Sequence, residues 1–464
     1  MTIGRRGFLI GAVLMPWAAR AEGLAMRPAP RPVPGSAAII GRAALPGAVE
    51  YAVLDAGSGA VLDVTTQQGA VPPASTLKSV TALYALDRLG PQHRFRTRII
   101  RAGDMLILAG GGDPHLDSDG LDRLAADLVA AGAGTPARFA VWGGALPRLP
   151  QIAPGQAMHL AYNPALSGMI LNFNRVHLGW RRTAPGAYDM QMQARAARQS
   201  PRAYTIRAEV AAQSQVFRYL GEGPPERWRV SRAALGQQGS RWLPVRLPEL
   251  YAGDVFQTLC RARGLVLPAP EVIETLPPGD ELAGIDSEPL TVIVRALLRY
   301  STNSTAEAIG LAVSGAAGLA ESGAAMAEWL RGQGILGEAR FADHSGLSDA
   351  SRISPLTMAQ VLAGPGMRLG LPDLLRENPL TDDLGREAAL PGVRAKTGTL
   401  NFISNLAGYA DTAGGRKVVF AIVSTDPARR ADAAGHEQSP GVARWTRAAK
   451  TLQRDLIRGW TARL

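Results

Sequence analysis

A single cysteine, Cys260, stands in 464 residues, so no disulfide can form within the chain and a disulfide-stapled fold is excluded. It reads as a small buried hydrophobe. Lysine is almost as scarce. Only Lys78, Lys396, Lys417 and Lys450 occur among 50 lysines and arginines, so arginine serves wherever any positive charge suffices. A lysine kept in such a chain points to a task that needs an amine able to lose its proton, which a guanidinium cannot do. Aromatic residues make up 6% of the chain and no basic run is interleaved with them, so the formal charge of +11 does not read as a nucleic-acid surface. It suits a solvated arginine-rich surface, or contact with anionic wall polymers or membrane head groups. None of the six histidines sits in a His-Glu-x-x-His helix, and no serine stands in a Gly-x-Ser-x-Gly elbow. Zinc-peptidase and Ser-His-Asp readings therefore lack their motifs. No metal and no cofactor is implied.

What is present describes a globular chain of two or three domains, with 46% hydrophobic and 19% charged residues. At the N-terminus Arg5-Arg6-Gly7-Phe8-Leu9 leads into an apolar run, Leu9 to Trp17, and then Ala19-Arg20-Ala21. The layout resembles a twin-arginine export signal cleaved after Ala21, which places the mature protein in the periplasm. The run is too short to span a bilayer comfortably, and no other stretch reads as transmembrane. Residues 22–36, rich in proline, read as an extended linker.

Beyond the linker, Tyr51–Leu54 and Ala60–Leu62 flank a turn and predict a β-hairpin. Strands are expected at Phe95–Ile100, Met105–Leu108 and Ala137–Trp142, with a helix at Leu121–Ala131. The glycines of Gly110-Gly111-Gly112-Asp113-Pro114 match no phosphate-binding pattern and read as a tight turn. Residues 150–280, rich in Pro, Arg and Gln, read as β-rich through short alternating runs such as Met169–Leu178. Helices follow at Val292–Tyr300, Ala306–Val313 and Leu319–Gly332, then strands at Val393–Thr399, Leu406–Tyr409 and Val418–Val423, and a closing helix from Val442. The fold class is α+β, an antiparallel sheet flanked by helices. Residues 37–92 and 281–464 form its main domain, and 93–280 an inserted accessory region of two small β-rich and α/β domains.

The chemistry gathers at Pro73-Ala74-Ser75-Thr76-Leu77-Lys78. Prolines cannot extend a helix backwards, Ser75 is a good capping residue, and Leu77, Val80, Leu83, Tyr84 and Leu86 recur at helical spacing until Gly90-Pro91. Positions i and i+3 are neighbours on a helix, so the Lys78 amine reaches the Ser75 hydroxyl. A serine hydroxyl becomes a nucleophile when a nearby base takes its proton, and a buried lysine can be that base.

Two further motifs follow in order, Ser301-Thr302-Asn303 at a break between helices and Lys396-Thr397-Gly398-Thr399 on a strand. The triplet resembles that of penicillin-binding proteins and class A β-lactamases, with Thr302 where those usually have aspartate. The resemblance implies the roles. Ser75 attacks a carbonyl and becomes acylated, Lys78 takes its proton, and Ser301 passes a proton to the leaving amine. Asn303 holds the substrate amide and Lys78. Lys396, Thr397 and Thr399 bind a carboxylate, Gly398 leaves room for substrate along the strand, and the N–H groups of Ser75 and Thr399 form the oxyanion hole.

With Leu86-Asp87-Arg88-Leu89-Gly90, Gly110 to Pro114 and Asp343-His344-Ser345-Gly346-Leu347-Ser348, these blocks resemble those of the D-alanyl-D-alanine carboxypeptidase/endopeptidases, the DacB-type low-molecular-mass class C penicillin-binding proteins. That family interrupts its transpeptidase-like domain between the first two motifs. Here 226 residues separate Ser75 from Ser301, far too many for a class A β-lactamase. The resemblance implies acyl-enzyme hydrolysis of peptidoglycan stem peptides ending in D-Ala-D-Ala, and acylation by β-lactams. The alternatives are a wall-binding scaffold that keeps the fold without activity, and a β-lactamase-like hydrolase, for which no deacylating carboxylate is apparent. His344 stands where the family usually has glycine and is expected at the surface. Asn401-Phe402 also departs from the smaller residues common there.

Overall fold

The structure, a computed structural model, describes residues 33–221, 223–433 and 439–464. The expected export signal and most of the linker lie outside the described residues. At the end of that linker Ser36 already opens a helix, α1 (Ser36–Ala43). The predicted hairpin follows as β1 (Ala48–Asp55) and β2 (Val61–Val64). Ser75 is not a side-chain cap. It sits in a single 3-10 turn, Ala74–Thr76, that runs into α2 (Leu77–Leu89). Every residue of α2 from Leu77 to Leu86 is buried, so its apolar faces meet protein all round and it forms the central helix of the domain.

The segment from residue 96 to 286 builds its own layers. Its strands are β3 (Arg96–Ala102), β4 (Met105–Ala109) and, after α3 (Ser118–Ala130), β5 (Arg138–Trp142). Then come β6 (Arg175–Ala184), β7 (Ala187–Gln193), β8 (Ile206–Ala211), β9 (Phe217–Tyr219), β10 (Glu226–Ser231) and β11 (Gln238–Pro244). Helix α4 (Pro248–Ala262) and strands β12 (Pro270–Ile273) and β13 (Asp280–Asp286) complete it. Helix α4 corrects the β-rich expectation for 150–280. Pro248 suits the first helical turn, and Tyr251, Ala252, Val255, Phe256, Leu259 and Cys260 fall on one face and are buried. Together with α3 it covers a five-stranded sheet of order β12-β5-β4-β3-β13, beside two three-stranded sheets. Gly110 to Gly112 do not close a tight turn: the amides of Gly110 and Gly112 donate to the carbonyls of Trp142 and Gly168, far along the chain. A Cβ at Gly110 would stand 2.5 Å from the Gly168 carbonyl oxygen and one at Gly111 2.1 Å from that of Arg96, so these glycines let backbones touch.

The chain then returns to α2. Helices α5 (Leu290–Tyr300), α6 (Asn303–Ser314) and α7 (Leu319–Gly332) lead to the two-residue strands β14 (Ala339–Arg340) and β15 (Arg352–Ile353) and to α8 (Pro355–Val361). After β16 (Arg376–Glu377) and α9 (Thr381–Leu384) come the long strands β17 (Val393–Leu400), β18 (Ile403–Asp411) and β19 (Lys417–Thr425). Short α10 (Pro427–Asp432) and long α11 (Val442–Arg463) end the chain.

The main sheet is antiparallel, in the order β16-β17-β18-β19-β1-β2. Its strands alternate between two cores, because successive side chains point to opposite faces. Ala52, Leu54, Ala407, Tyr409, Val419 and Ala421 join the cluster that contains α2, α5 and α6. Val53, Leu406, Ala410, Phe420 and Ile422 join the cluster of α1 and α11. A sheet covered on both faces explains why β18 and β19 read as near-continuous apolar runs. The arrangement, helices on both faces of an antiparallel sheet with smaller mixed layers inserted, is the α+β architecture expected.

One strand edge is left open where it matters. Strand β16 pairs with β17 only at Arg394 and Ala395. Among the described residues no strand pairs with the outer edge of β17 from Lys396 to Leu400, and β17 packs against the turn before α2.

Candidate active site

Three elements bring the sequence motifs together. The turn before α2 presents Ser75, the α5–α6 break presents Ser301 and Asn303, and β17 presents Lys396 to Thr399. The backbone is held in the left-handed region at two of these points, at Ala74 with φ 46° and at Ser301 with φ 59°. For residues with a Cβ this conformation is costly, and it concentrates where surrounding structure fixes a functional geometry.

Lys78 is fully buried, and its Nζ lies 2.9 Å from Ser75 Oγ, 2.9 Å from Asn303 Oδ1 and 2.8 Å from the Ser345 carbonyl oxygen. Asn303 Nδ2 in turn donates to the Tyr162 carbonyl at 3.3 Å, which orients the amide with its oxygen toward Lys78. Two of the three neighbours of Nζ are pure acceptors. They take two N–H groups, and the third direction points at a hydroxyl that can donate. Burial pushes the Lys78 amine down to about 8, against the opposing pull of the Glu307 and Asp343 charges. The arrangement suits a neutral amine with its lone pair toward Ser75.

Lys396 is likewise buried. Its Nζ donates to Ser301 Oγ at 2.9 Å and to the carbonyl of Thr397 at 2.8 Å. Burial, and then the nearby Lys78 charge, hold it well below the ordinary lysine value. The amine therefore stands behind Ser301 rather than in the cleft. The groups of this motif nearer solvent are the half-buried Thr397 and the exposed Thr399. Gly398 also departs from expectation. A Cβ there would meet the Pro73 carbonyl oxygen and the backbone nitrogens of Ser75 and Thr76, each at 3.0 Å. The missing side chain lets β17 lie against the turn that carries Ser75, a backbone contact in place of the space for substrate expected there.

His344 overturns its surface assignment. It is fully buried, its ring is stacked on Tyr84, and Nε2 lies 2.6 Å from Ser322 Oγ. Burial holds the imidazole down at about 3, so it is neutral. The space comes from Gly310 on α6, where a Cβ would fall 2.2 Å from the ring.

Sequence reasoning missed a layer beneath the motifs. The carbonyls of His344 and Ser345 accept from Thr81 Oγ1 at 2.7 Å and from Lys78, both on α2. The amides of the same two residues donate to Glu307 on α6, at 2.9 and 3.0 Å. Glu307 lies four residues after Asn303, one helical turn along the same face, and that spacing was the available signal. Tyr162 carried none, because its contribution is a backbone carbonyl.

In front of Ser75 opens a cavity of about 1070 Å³, lined by Tyr162, Asn303, Leu347, Thr399 and Arg430 among others, with the loop from Leu149 to Ala157 as one wall. Arg430 spans part of its rim, pairing with Asp349 and donating to the Asn401 carbonyl.

The chain is 26% identical over 466 aligned residues to the D-alanyl-D-alanine carboxypeptidase of Actinomadura sp. strain R39, covering 87% of this chain and 85% of that one. It is 32% identical to Carboxypeptidase DacB of Mycolicibacterium smegmatis, over 37% of this chain and 42% of that protein's length. In fold it is similar to penicillin binding protein 4 (dacB) of Haemophilus influenzae, with a TM-score of 0.73 at 19% identity, covering 91% of this chain and 99% of that one. The model of the Peptidase_S13 family matches residues 37–449, and the chain belongs to this family, the D-Ala-D-Ala carboxypeptidase 3 (S13) family.

Proposed function

We infer that this chain is a serine-type D-Ala-D-Ala carboxypeptidase that acts on peptidoglycan stem peptides through an acyl-enzyme on Ser75. The observation that carries the reading is the setting of Lys78, whose buried amine is saturated by two acceptors and directed at the Ser75 hydroxyl. Nothing in folding alone requires a lysine to be fully buried against a serine, since desolvating its charge is costly unless the amine is used.

In this reading Lys78 takes the Ser75 proton as Oγ bonds to the carbonyl carbon of the penultimate D-alanine. The carbonyl oxygen takes up the displaced electron pair and is held by the N–H groups of Ser75 and Thr399. Collapse of that intermediate breaks the peptide bond, and the leaving amine takes a proton through Ser301, which Lys396 backs at 2.9 Å. Water then hydrolyses the ester. The terminal carboxylate sits at the Thr397 and Thr399 hydroxyls, with the Lys396 amine behind them. The open edge of β17 lets the peptide add as a further strand.

The cavity of about 1070 Å³ in front of Ser75 has volume for more than a linear peptide end, which supports cleavage of D-amino-acid cross-links as a second activity of the same site. β-Lactams acylate Ser75 as substrate mimics. Action on this polymer requires export, and the paired arginines near the N-terminus support a periplasmic location by the twin-arginine route. The test is release of D-alanine from a diacetyl-Lys-D-Ala-D-Ala peptide, followed by chromatography. Wild type should release it and Ser75→Ala should not; equal release by both would refute the assignment.

A further inference from the structure

Three side chains grip the segment Asp343-His344-Ser345 from two sides. Lys78 and Thr81, neighbours on α2, hold its carbonyls, and Glu307 on α6 holds its amides with both carboxylate oxygens, Oε2 on His344 and Oε1 on Ser345. Glu307 is fully buried and touches no part of the open cleft. Asp343 makes the turn itself, accepting from Ser345 Oγ, Ser348 N and Ser351 Oγ.

We propose that Glu307 is a positioning residue of acylation: it fixes the Ser345 carbonyl against Lys78 and supplies the buried negative charge that offsets Lys78 once it holds the Ser75 proton. The first half follows from geometry. The Ser345 carbonyl is one of two acceptors that orient the Lys78 amine, and its place is set by the amides on Glu307. The second half follows from charge. In the acylation step a proton leaves a neutral hydroxyl and appears as an ammonium on the fully buried Lys78. An anion close by then stabilises the transition state more than the resting state.

The charged and titratable groups around this site are few. Glu307 on α6 and then Asp343 in the loop favour protonated Lys78 against its burial, while Lys396 on β17 is held well below the ordinary lysine value by burial and by Lys78. His344, between Glu307 and α7, is neutral because of burial. Burial and then the Asp343 charge push the Glu307 carboxyl up, while the Ser345 hydroxyl and the amides of His344 and Ser345 favour its ionised form, in which both oxygens accept. Removing the carboxylate at 307 takes away the larger of the two charges that favour protonated Lys78, so the amine loses its proton at lower pH.

The inference rests on acylation of Ser75 with Lys78 as base, and the test separates the two claims. The rate of acylation by a fluorescent penicillin is followed from pH 5.5 to 9.5 in the whole chain and in E307Q and E307D. Wild-type acylation should rise with pH as Lys78 deprotonates; a wild type that never acylates refutes the function, not this inference alone. In E307Q the midpoint of that rise should move down by about one pH unit or more, with a lower plateau. In E307D, which keeps the charge but is too short to hold both amides, the midpoint should stay and the plateau fall about tenfold or more. Unmoved midpoints in both variants, or equal displacement in both, would overturn the proposal. Should E307Q fail to fold by circular dichroism, E307D decides alone: a displaced midpoint or an undiminished plateau would overturn it.

Discussion

The ring of His344 occupies the space that a side chain at position 310 would fill, with the absent Cβ of Gly310 only 2.2 Å from the ring carbons. One residue is large because the other is nothing. Gly310→Ala should therefore force the ring and its segment to shift, lowering stability by about 2 kcal/mol or more. In the double variant Gly310→Ala, His344→Gly most of that loss should return, which thermal melts of the four proteins check as a cycle. Additive losses would break the link.

The same burial makes His344 an acid-labile element. Its folded value of about 3 lies below the ordinary histidine value of 6.5, so between these pH values the unfolded chain binds the extra proton. Stability then falls as pH falls from about 6.5 toward 3, by on the order of a few kcal/mol from this ring. In His344→Gln, denaturant midpoints should decline less steeply over that window, although the variant starts lower at neutral pH. Parallel curves would mean the ring is charged at lower cost than its burial indicates.

Lys78→Arg keeps the charge and removes the base. Acylation by penicillin should drop by at least about 100-fold, the lower range for losing a general base. Wild-type rates should climb through a midpoint near pH 8, since the amine is pushed down to about that value and acts only when neutral. Stopped-flow acylation over pH checks both. A wild-type-like arginine variant would remove Lys78 as the base.

Gly398→Ala places a methyl 3.0 Å from three backbone atoms of the nucleophile turn. The strand and the turn must separate, at about 1–3 kcal/mol in stability. Since both donors of the proposed oxyanion hole lie on these two elements, acylation should fall about 100-fold. Titration with penicillin reads the rate and a melt reads the stability. Loss of stability with unchanged acylation would separate Gly398 from the oxyanion hole.

The motifs of the candidate site were legible because each needs a particular residue type at a short spacing. Ser75 and Lys78 share a helix turn, and scarce lysine made Lys78 and Lys396 stand out among arginines. The strands of the main sheet were legible from their apolar runs, though Leu406–Tyr409 is shorter than β18, whose ends carry Ser404, Asn405 and Asp411. What was not legible depended on partners distant in sequence. Nothing near His344 says that Gly310 clears a pocket for it 34 residues earlier. Nothing near Gly398 says that its neighbour is the backbone of Pro73 to Thr76 rather than a ligand. Helix α4 was obscured because its apolar face lies in a segment whose composition is dominated by Pro, Arg and Gln.

The most direct test of the account is the intact mass of the protein from Glu22 onward after exposure to benzylpenicillin, with Ser75→Ala alongside. Wild type should gain the mass of one penicilloyl group, located on the peptide carrying Ser75, and the variant should gain none. No adduct on folded wild type, or an adduct that persists in Ser75→Ala, would contradict the account.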